Sequence, residues 1–377
     1  MDNIAGTKSS LTWVVNFSAA LLVILWLLPT LGLFVSSFRD RDQISASGWW
    51  KATSAAEQAV QVRASAPDTA VQEGGQFVIS GKVFEDGQGG TVSAFGTTSK
   101  APAANPVGTA VKTSDGYDLV VNGDGTYRLS SATAFEGTRG ERFFVTTSTP
   151  PRLTIENYGR VLQAEGIGRS FLNTLTVTIP ATIIPILVAA FAAYALAWME
   201  FPGRALLIAI VVGLLVVPLQ LSLIPLLKFH NSIGIGKSYI GIWLAHTAFG
   251  LPLAVYLLRN YMVGLPREII ESARVDGATD FQIFLKIILP LSFPALASFA
   301  IFQFLWTWND LLVALVFLGN TEDQLVMTGR LSGLMGSRGG DWEILATAAF
   351  ISIAVPLLVF FAMQKYLVRG LLAGSVK

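Results

Sequence analysis

Six stretches without a charged residue divide the chain: Ser9–Phe38, Ser170–Met199, Ala205–Leu227, Ser238–Leu258, Ile287–Asn309 and Ile344–Gln364. Each holds at least 21 residues. About 20 apolar residues in a helix, rising 1.5 Å apiece, cross ~30 Å of hydrocarbon. The pattern therefore predicts six transmembrane helices. The first stretch is long enough to span, lacks a clear small-residue cleavage site and is followed by Arg39 as a stop, so it reads as an anchor and not a cleaved signal.

Between the first and second spans the pattern changes to period two. "GQFVISGKVF", "GYDLVV" and "GTYRLSS" alternate apolar and polar residues, and "NGDG" at Asn122–Gly125 separates the last two as a hairpin turn would. The Ala-rich stretch before them, "ATSAAEQAVQVRASAPDTA", has no distinct pattern. "RLTIENYGRVLQAEGIG" after Pro150–Pro151 reads as a short amphipathic helix leading into the second span. The expected organisation is residues 1–45 for the N-terminus and first helix, 46–150 for a β-rich insertion, and 151–377 for a core with helices two to six.

Composition sharpens this. Charged residues are 14% of the chain, against about 25% in soluble domains, and 27 of the 51 fall within residues 39–170. Net charge is +1, which gives no basic surplus for nucleic acid. There is no Cys and only two His, so thiolate metal sites, disulfides and Cys nucleophiles are excluded, and no Ser/His/Asp set can be placed. "GIGKS" at Gly234–Ser238 resembles the end of a phosphate-binding loop, but Asn231 stands where the first Gly is needed. "NGDG" lacks the ligand series of a calcium loop. Nothing here argues for an enzyme, a metal or a cofactor held by this chain.

Basic residues in short loops set orientation. With the N-terminus inside, nine inner basic residues (Lys8, Arg204, Arg259, Arg267, Arg274, Lys286, Lys365, Arg369 and Lys377) face four outer ones (Lys228, Lys237, Arg330 and Arg338). Both termini are expected in the cytoplasm and the β block outside.

The longest inner loop, Arg259–Pro290, has the signals of two short helices. Pro266 suits a first helical position, Gly277 a left-handed helix end, and Thr279 with Gln282 a capping box. A helix–turn–helix between two spans is a docking element; an ordinary solvated loop is the plainer alternative. Here Glu271, Ser272, Ala273, Gly277, Ile287, Leu289 and Pro290 reproduce the spacing E-A-A-x3-G-x9-I-x-L-P, with Ser272 at a position that has Ala. The loop is similar to the cytoplasmic signature of the permease subunits of binding-protein-dependent ABC importers. "ARVDGATDFQIFLKIILPLSFPAL", "TIENYGRVL", Phe201-Pro202-Gly203 and the tail "KYLVRGLLAGSVK" resemble the MalG-like branch, which serves oligosaccharide importers. The 46–150 block looks like the extra outer segment of α-glucoside permeases in that family.

The resemblance implies an all-α membrane fold of type I importer permeases with a β-rich periplasmic insertion, in a bacterial inner membrane. It implies a second permease subunit, a dimer of ATPase subunits that bind the ATP, and a periplasmic sugar-binding protein. It assigns ATPase coupling to Glu271, Ser272, Ala273, Asp276, Gly277, Ile287, Leu289 and Pro290, and a tail contact to Gly370, Leu371, Gly374 and Lys377. Glu271 is expected to meet a basic ATPase residue, and Gly277 to stand at a close turn with no room for a side chain.

Polar residues within the spans supply candidates for a sugar path. Gln303, Trp306 and Asp310 fall at i, i+3 and i+7, with Asn309 beside them, and Asp310 lies about 30 Å along a helix from Pro290. A carboxylate, an amide and an indole on one stripe would suit a pyranose; helix–helix hydrogen bonds with an interfacial Trp are the structural alternative. His246 and Gln220 are weaker candidates. Other readings are a channel or secondary transporter, which would carry paired intramembrane charges where Asp310 stands alone, a sensing protein working through the β block, or an importer of another small solute.

Overall fold

The computed structural model describes residues 10–84, 90–163, 165–337 and 339–373. The chain forms two compact units, one of residues 1–157 with 341–346, the other of residues 158–340 with 347–377.

The first unit begins with α1 (Ser10–Ser37) and the short α2 (Arg41–Ala46), followed by nine strands. These are β1 (Ala56–Arg63), β2 (Val71–Glu73), β3 (Gln76–Lys82), β4 (Thr91–Gly96), β5 (Asn105–Pro106), β6 (Ala110–Lys112), β7 (Asp118–Val121), β8 (Thr126–Ser131) and β9 (Arg142–Thr149). They make two antiparallel sheets, ordered β1-β9-β4-β5 and β2-β3-β8-β7-β6. Phe95, Phe143 and Val145 of one sheet and Ile79, Leu119, Val121, Tyr127 and Leu129 of the other bury a common core. Every second side chain of β8 and β9 points into it, as period-two strands require. The hairpin at Asn122–Gly125 forms where the sequence places it: Val121 pairs with Tyr127, and Asp124 Oδ1 accepts from the Thr126 amide at 2.9 Å. β1 comes from the stretch that showed no distinct pattern. Its Val60 and Val62 pack at period two on the core, but Ala and Gln on the other positions blur the alternation.

Arg39 does more than stop a membrane helix. It is buried, and its guanidinium donates to the Ser47 carbonyl (2.9 Å) and the Gln43 carbonyl (2.6 Å), fastening α2. Gln43 donates to the Pro150 carbonyl (2.9 Å) and accepts from the Arg152 amide (3.2 Å), which ties α2 to the end of β9. The carbonyls that accept from the two ends of the guanidinium offset the cost of burying the cation, while its Nε is buried without a partner among the described residues.

The second unit is helical. It comprises α3 (Glu156–Gln163), α4 (Ile167–Trp198), α5 (Arg204–Leu214), α6 (Leu219–Ser232), α7 (Tyr239–Val263), α8 (Arg267–Val275), α9 (Asp280–Ile283), α10 (Leu289–Leu291), α11 (Phe293–Trp308), α12 (Leu312–Phe317), α13 (Met327–Ser337) and α14 (Trp342–Ala373), although α3 and α14 each begin in the first unit. Among the described residues four helices, α1, α4, α7 and α14, are long and apolar enough to cross a membrane, or six if each of two bent pairs counts as one span. The third and fifth expected spans are these bent pairs. α5 and α6 meet at 109°. Pro218 steers its predecessor out of the helical region, and Leu215, Val216 and Val217 close the end of α5 with tight i−3 bonds of 3.2–3.3 Å. The α9–α10 segment meets α11 at 69°, after a π turn at Phe284–Ile288 and with Pro290 and Pro294 on either side. Uncharged length marks a span; it carries no signal for a bend that two prolines impose.

The strand unit is expected to fold by itself. Residues 46–150 expressed alone should give a strand-dominated circular dichroism spectrum and a cooperative melt. Phe143→Ala, which empties a fully buried site, should cost about 3–5 kcal/mol and abolish or sharply lower that melt. Random-coil spectra from the unsubstituted fragment would contradict the expectation.

Candidate coupling element and polar core

The segment after α7 folds as the capping signals require. α8 starts at Arg267 with Pro266 one residue outside it, at the cap. It ends in a Schellman motif: the Gly277 amide donates to the Arg274 carbonyl and the Ala278 amide to the Ala273 carbonyl, both at 3.0 Å. Gly277 has φ +82°, a conformation that costs a residue with a Cβ about 1–2 kcal/mol. Nothing lies within 4 Å of the point where its Cβ would be, so backbone geometry and not crowding calls for glycine, contrary to the expected close turn. Two residues on, Thr279 Oγ1 accepts from the Gln282 amide (3.3 Å) while Gln282 Oε1 accepts from the Thr279 amide (2.9 Å), a complete capping box opening α9.

One side of this helix pair is embedded. Ile270 of α8, Ile283 of α9, and Phe284 and Ile288 of the π turn join one core with Ala189, Ala193 and Tyr194 of α4, Ala254, Leu258 and Met262 of α7, and Phe299 of α11. Ile287 and Leu289 pack against the same cluster. The other side carries Val275 at 87% exposure and Phe281 at 60%, large apolar groups on a turn. Around them lie exposed Glu271, Ser272 and Asp276. Glu271 accepts from Arg267 Nε at 2.8 Å, one helical turn away, and Arg274 pairs with Asp280 at 3.1 Å. Pairs this exposed are worth little and exchange partners readily. Pro290 lies in α10 and lines an apolar groove of about 460 Å³ with Phe293 and Met363.

The expected tail begins as helix. α14 continues through Gly370 and Leu371, while Gly374 and Lys377 lie outside the described residues.

The polar candidates separate into two groups. Gln303 is buried and donates to the backbone carbonyls of Ala181 (3.1 Å) and His246 (3.4 Å), bridging α4 and α7. Trp306 is 47% exposed. α11 stops at Trp308, so Asp310 leaves the expected stripe: its Oδ1 accepts from the Val313 amide (3.1 Å) at the start of α12, and its carbonyl accepts from Thr328 (3.0 Å). Its other oxygen lies 3.8 Å from His246 Nε2, with both side chains almost wholly enclosed. Asp310 therefore does not stand alone. Asn309 and Gln220 are exposed. The stripe failed because a spacing of i and i+7 assumes an unbroken helix.

Other residues carry structure that the sequence did not announce. Asn173 of α4 donates to the carbonyls of Asp323 (2.9 Å) and Leu325 (3.1 Å) and accepts from Tyr239 (3.0 Å), holding the segment before α13. Arg330 pairs with Glu322, and that guanidinium holds the Glu322 carboxyl below the ordinary range. "GIGKS" is a helix junction: Gly234, at φ +80°, closes α6, and Ser238 Oγ caps α7 by accepting from the Gly241 amide at 3.1 Å.

A bundle of apolar helices with bent third and fifth spans, and an embedded helix pair projecting between α7 and α11, defines a membrane transport permease. The chain belongs to the family of binding-protein-dependent transport system inner membrane components, whose pattern matches residues 169–372. It is 64% identical over 375 residues to the alpha-glucoside transport system permease protein AglG of Rhizobium meliloti (strain 1021), covering 98% of each chain. It is 62% identical over 221 residues to the osmoprotective compounds uptake permease protein GgtD of Synechocystis sp., covering 59% of this chain and 74% of that one. It is 33% identical over 230 residues to the trehalose transport system permease protein SugB of Mycobacterium tuberculosis, covering 60% and 84%. Among solved structures, a bacterial ABC transporter involved in the import of the acidic polysaccharide alginate matches with TM-score 0.50 at 24% identity, over 58% of this chain and 81% of that one, a likeness of fold.

Asp310→Asn keeps an acceptor for the Val313 amide and should leave thermal stability in detergent near that of the unsubstituted protein. Asp310→Ala deletes the cap and should cost about 1 kcal/mol. Equal losses in both would show that the charge, not the cap, is what the site needs.

Proposed function

We infer that this chain is one of two paired permease subunits of an ATP-driven importer of α-glucosides. It lies in the inner membrane with both termini cytoplasmic and the strand unit outside. Two ATPase subunits bind the α8–α9 element, and a soluble binding protein outside the membrane delivers sugar. The observation that carries the coupling reading is the two-sided character of that element: Val275 and Phe281 bare on one side, Ile270, Ile283 and Phe284 locked into α4, α7 and α11 on the other. A push on the bare side moves packed helices, because close-packed interiors do not absorb strain. Closure of the ATPases on ATP draws the two permeases' elements together and opens the path outward; hydrolysis reverses it. Glu271 exchanges Arg267 for an ATPase cation, and the end of α14 with the tail, Gly370 to Lys377, lies along the ATPase pair. Trp306, Asn309 and Gln220, the exposed polar candidates, line the sugar path, with Gln303, His246 and Asp310 bracing it from behind.

The sugar class is supported by the identity to AglG, which at 375 residues has to run through the strand unit as well as the helices. The GgtD match is nearly as strong over a shorter stretch and favours an osmoprotectant as the second reading. Uptake by the assembled transporter of maltose, sucrose and trehalose against glycine betaine separates them. Uptake of the sugars is expected; uptake of glycine betaine alone would overturn the sugar reading.

The coupling reading makes its own prediction. Gly277→Asn, which tolerates a left-handed backbone, should keep sugar-stimulated ATP hydrolysis within about twofold. Gly277→Val should lower it about tenfold or more, because a β-branched residue strains that turn. Wild-type stimulation in Gly277→Val would remove the coupling assignment.

A further inference from the structure

In the first unit a cavity of about 250 Å³ opens where α2 meets the strands. Its wall combines Asp40, Asp42, Gln58, Phe84, Thr149 and Arg152, with Val60 and Val83 behind them. The composition is mixed in a particular way. Arg152 Nε lies 3.7 Å from Asp40, so those charges offset one another and leave the Asp42 carboxylate as an acceptor at the exposed rim. Gln58 is half-buried and supplies both an acceptor and a donor. Thr149 adds a hydroxyl. Phe84 is held in place: its ring fills the space that a Cβ on Gly90 or Gly125 would need, at 2.7 and 2.5 Å.

The surroundings are fixed as well. The Arg39 and Gln43 bonds that fasten α2 set one wall. On the other, Thr147 is buried and donates to the Gln58 carbonyl at 3.3 Å, which fixes the backbone from which the Gln58 amide projects. A pre-formed cavity with a few convergent polar groups and an aromatic carbon surface is the usual form of a small-ligand site. The Asp42 carboxylate, which Arg152 does not offset, repels anions. A wholly apolar guest would displace water from the Asp42 carboxylate and the Gln58 amide without replacing its bonds. A neutral, polyhydroxylated ring with one carbon-rich face satisfies both conditions. The volume is below the ~300–1,000 Å³ of sites for drug-sized molecules, which fits one sugar ring.

We propose that this cavity binds a neutral pyranose, the terminal residue of an α-glucoside, as a sugar site of the strand unit separate from the membrane path. The choice of sugar rests on the transport reading above; the existence of the site rests on the cavity. Hydroxyls of the ring bond Asp42, Gln58 and Thr149, and its carbon face lies on Phe84. Such a site holds sugar at the transporter and raises its local concentration.

The test is binding of methyl α-glucoside and maltose to the full-length chain in detergent, followed by saturation-transfer NMR and titration calorimetry. The expected result is saturable binding that Phe84→Ala, Asp42→Asn and Gln58→Ala each weaken about tenfold or more, the effect of one lost hydrogen bond or ring contact at such a site. Arg128→Ala, an exposed partner of Glu73 on the opposite sheet, should bind as the unsubstituted chain does. If Phe84→Ala fails to fold, Asp42→Asn at the rim decides. Absence of saturable binding, or binding unchanged in Asp42→Asn and Gln58→Ala, overturns the site. Sugar uptake by the assembled transporter without binding here overturns this site alone. Binding here without uptake supports the site and overturns the transport reading.

Discussion

The turn at Gly277 is the constraint on which the helical unit depends. A left-handed residue there lets α8 end in a Schellman motif and, two residues later, lets Thr279 open α9 with a capping box. Each helix is too short to persist by itself. Capped and set back to back, they place Ile270, Ile283, Phe284 and Ile288 in the same core as α4, α7 and α11. Without that turn the apolar residues would have no common direction, and the segment would be a loop.

The consequence is mechanical. The helix pair shares the buried core of the helical unit and also bares large apolar groups. Val275 and Phe281 are exposed where monomeric proteins place polar groups, while Ala189 and Ala193 of α4 let α7 and the π turn approach closely. The bends at Pro218 and near Ser292 belong to the same logic. Backbone groups freed by a bend in hydrocarbon must be bonded elsewhere, and tight turns and neighbouring helices do this. The polar core does likewise: Gln303 and Asp310 satisfy backbone groups of α4, α7 and α12.

How much of this was legible in the sequence follows from the range of each interaction. Uncharged runs gave the spans, since membrane thickness acts on consecutive residues. Caps and the Asn122–Gly125 hairpin were legible because their bonds join residues two to four apart. β1 was not, because Ala and Gln weaken its alternation and its partner β9 is some 85 residues away. The polar stripe was misplaced because the end of α11 at Trp308 has no local breaker before it, and His246 approaches Asp310 from another helix. The cavity walled by Asp42, Gln58, Phe84 and Arg152 draws on four separate stretches of chain and leaves no spacing to read.

In the proposed importer the bare end of α8 faces the cytoplasm and is covered by an ATPase subunit. The chain has no cysteine, so Val275→Cys provides a single reactive thiol at that point. Its labelling by a membrane-impermeant maleimide should be measured in inside-out vesicles and in right-side-out spheroplasts, with and without the ATPase subunit. Rapid labelling is expected in inside-out vesicles only, with strong protection once the ATPase is bound. Labelling from the outer side, or equal labelling with and without the ATPase, would contradict it.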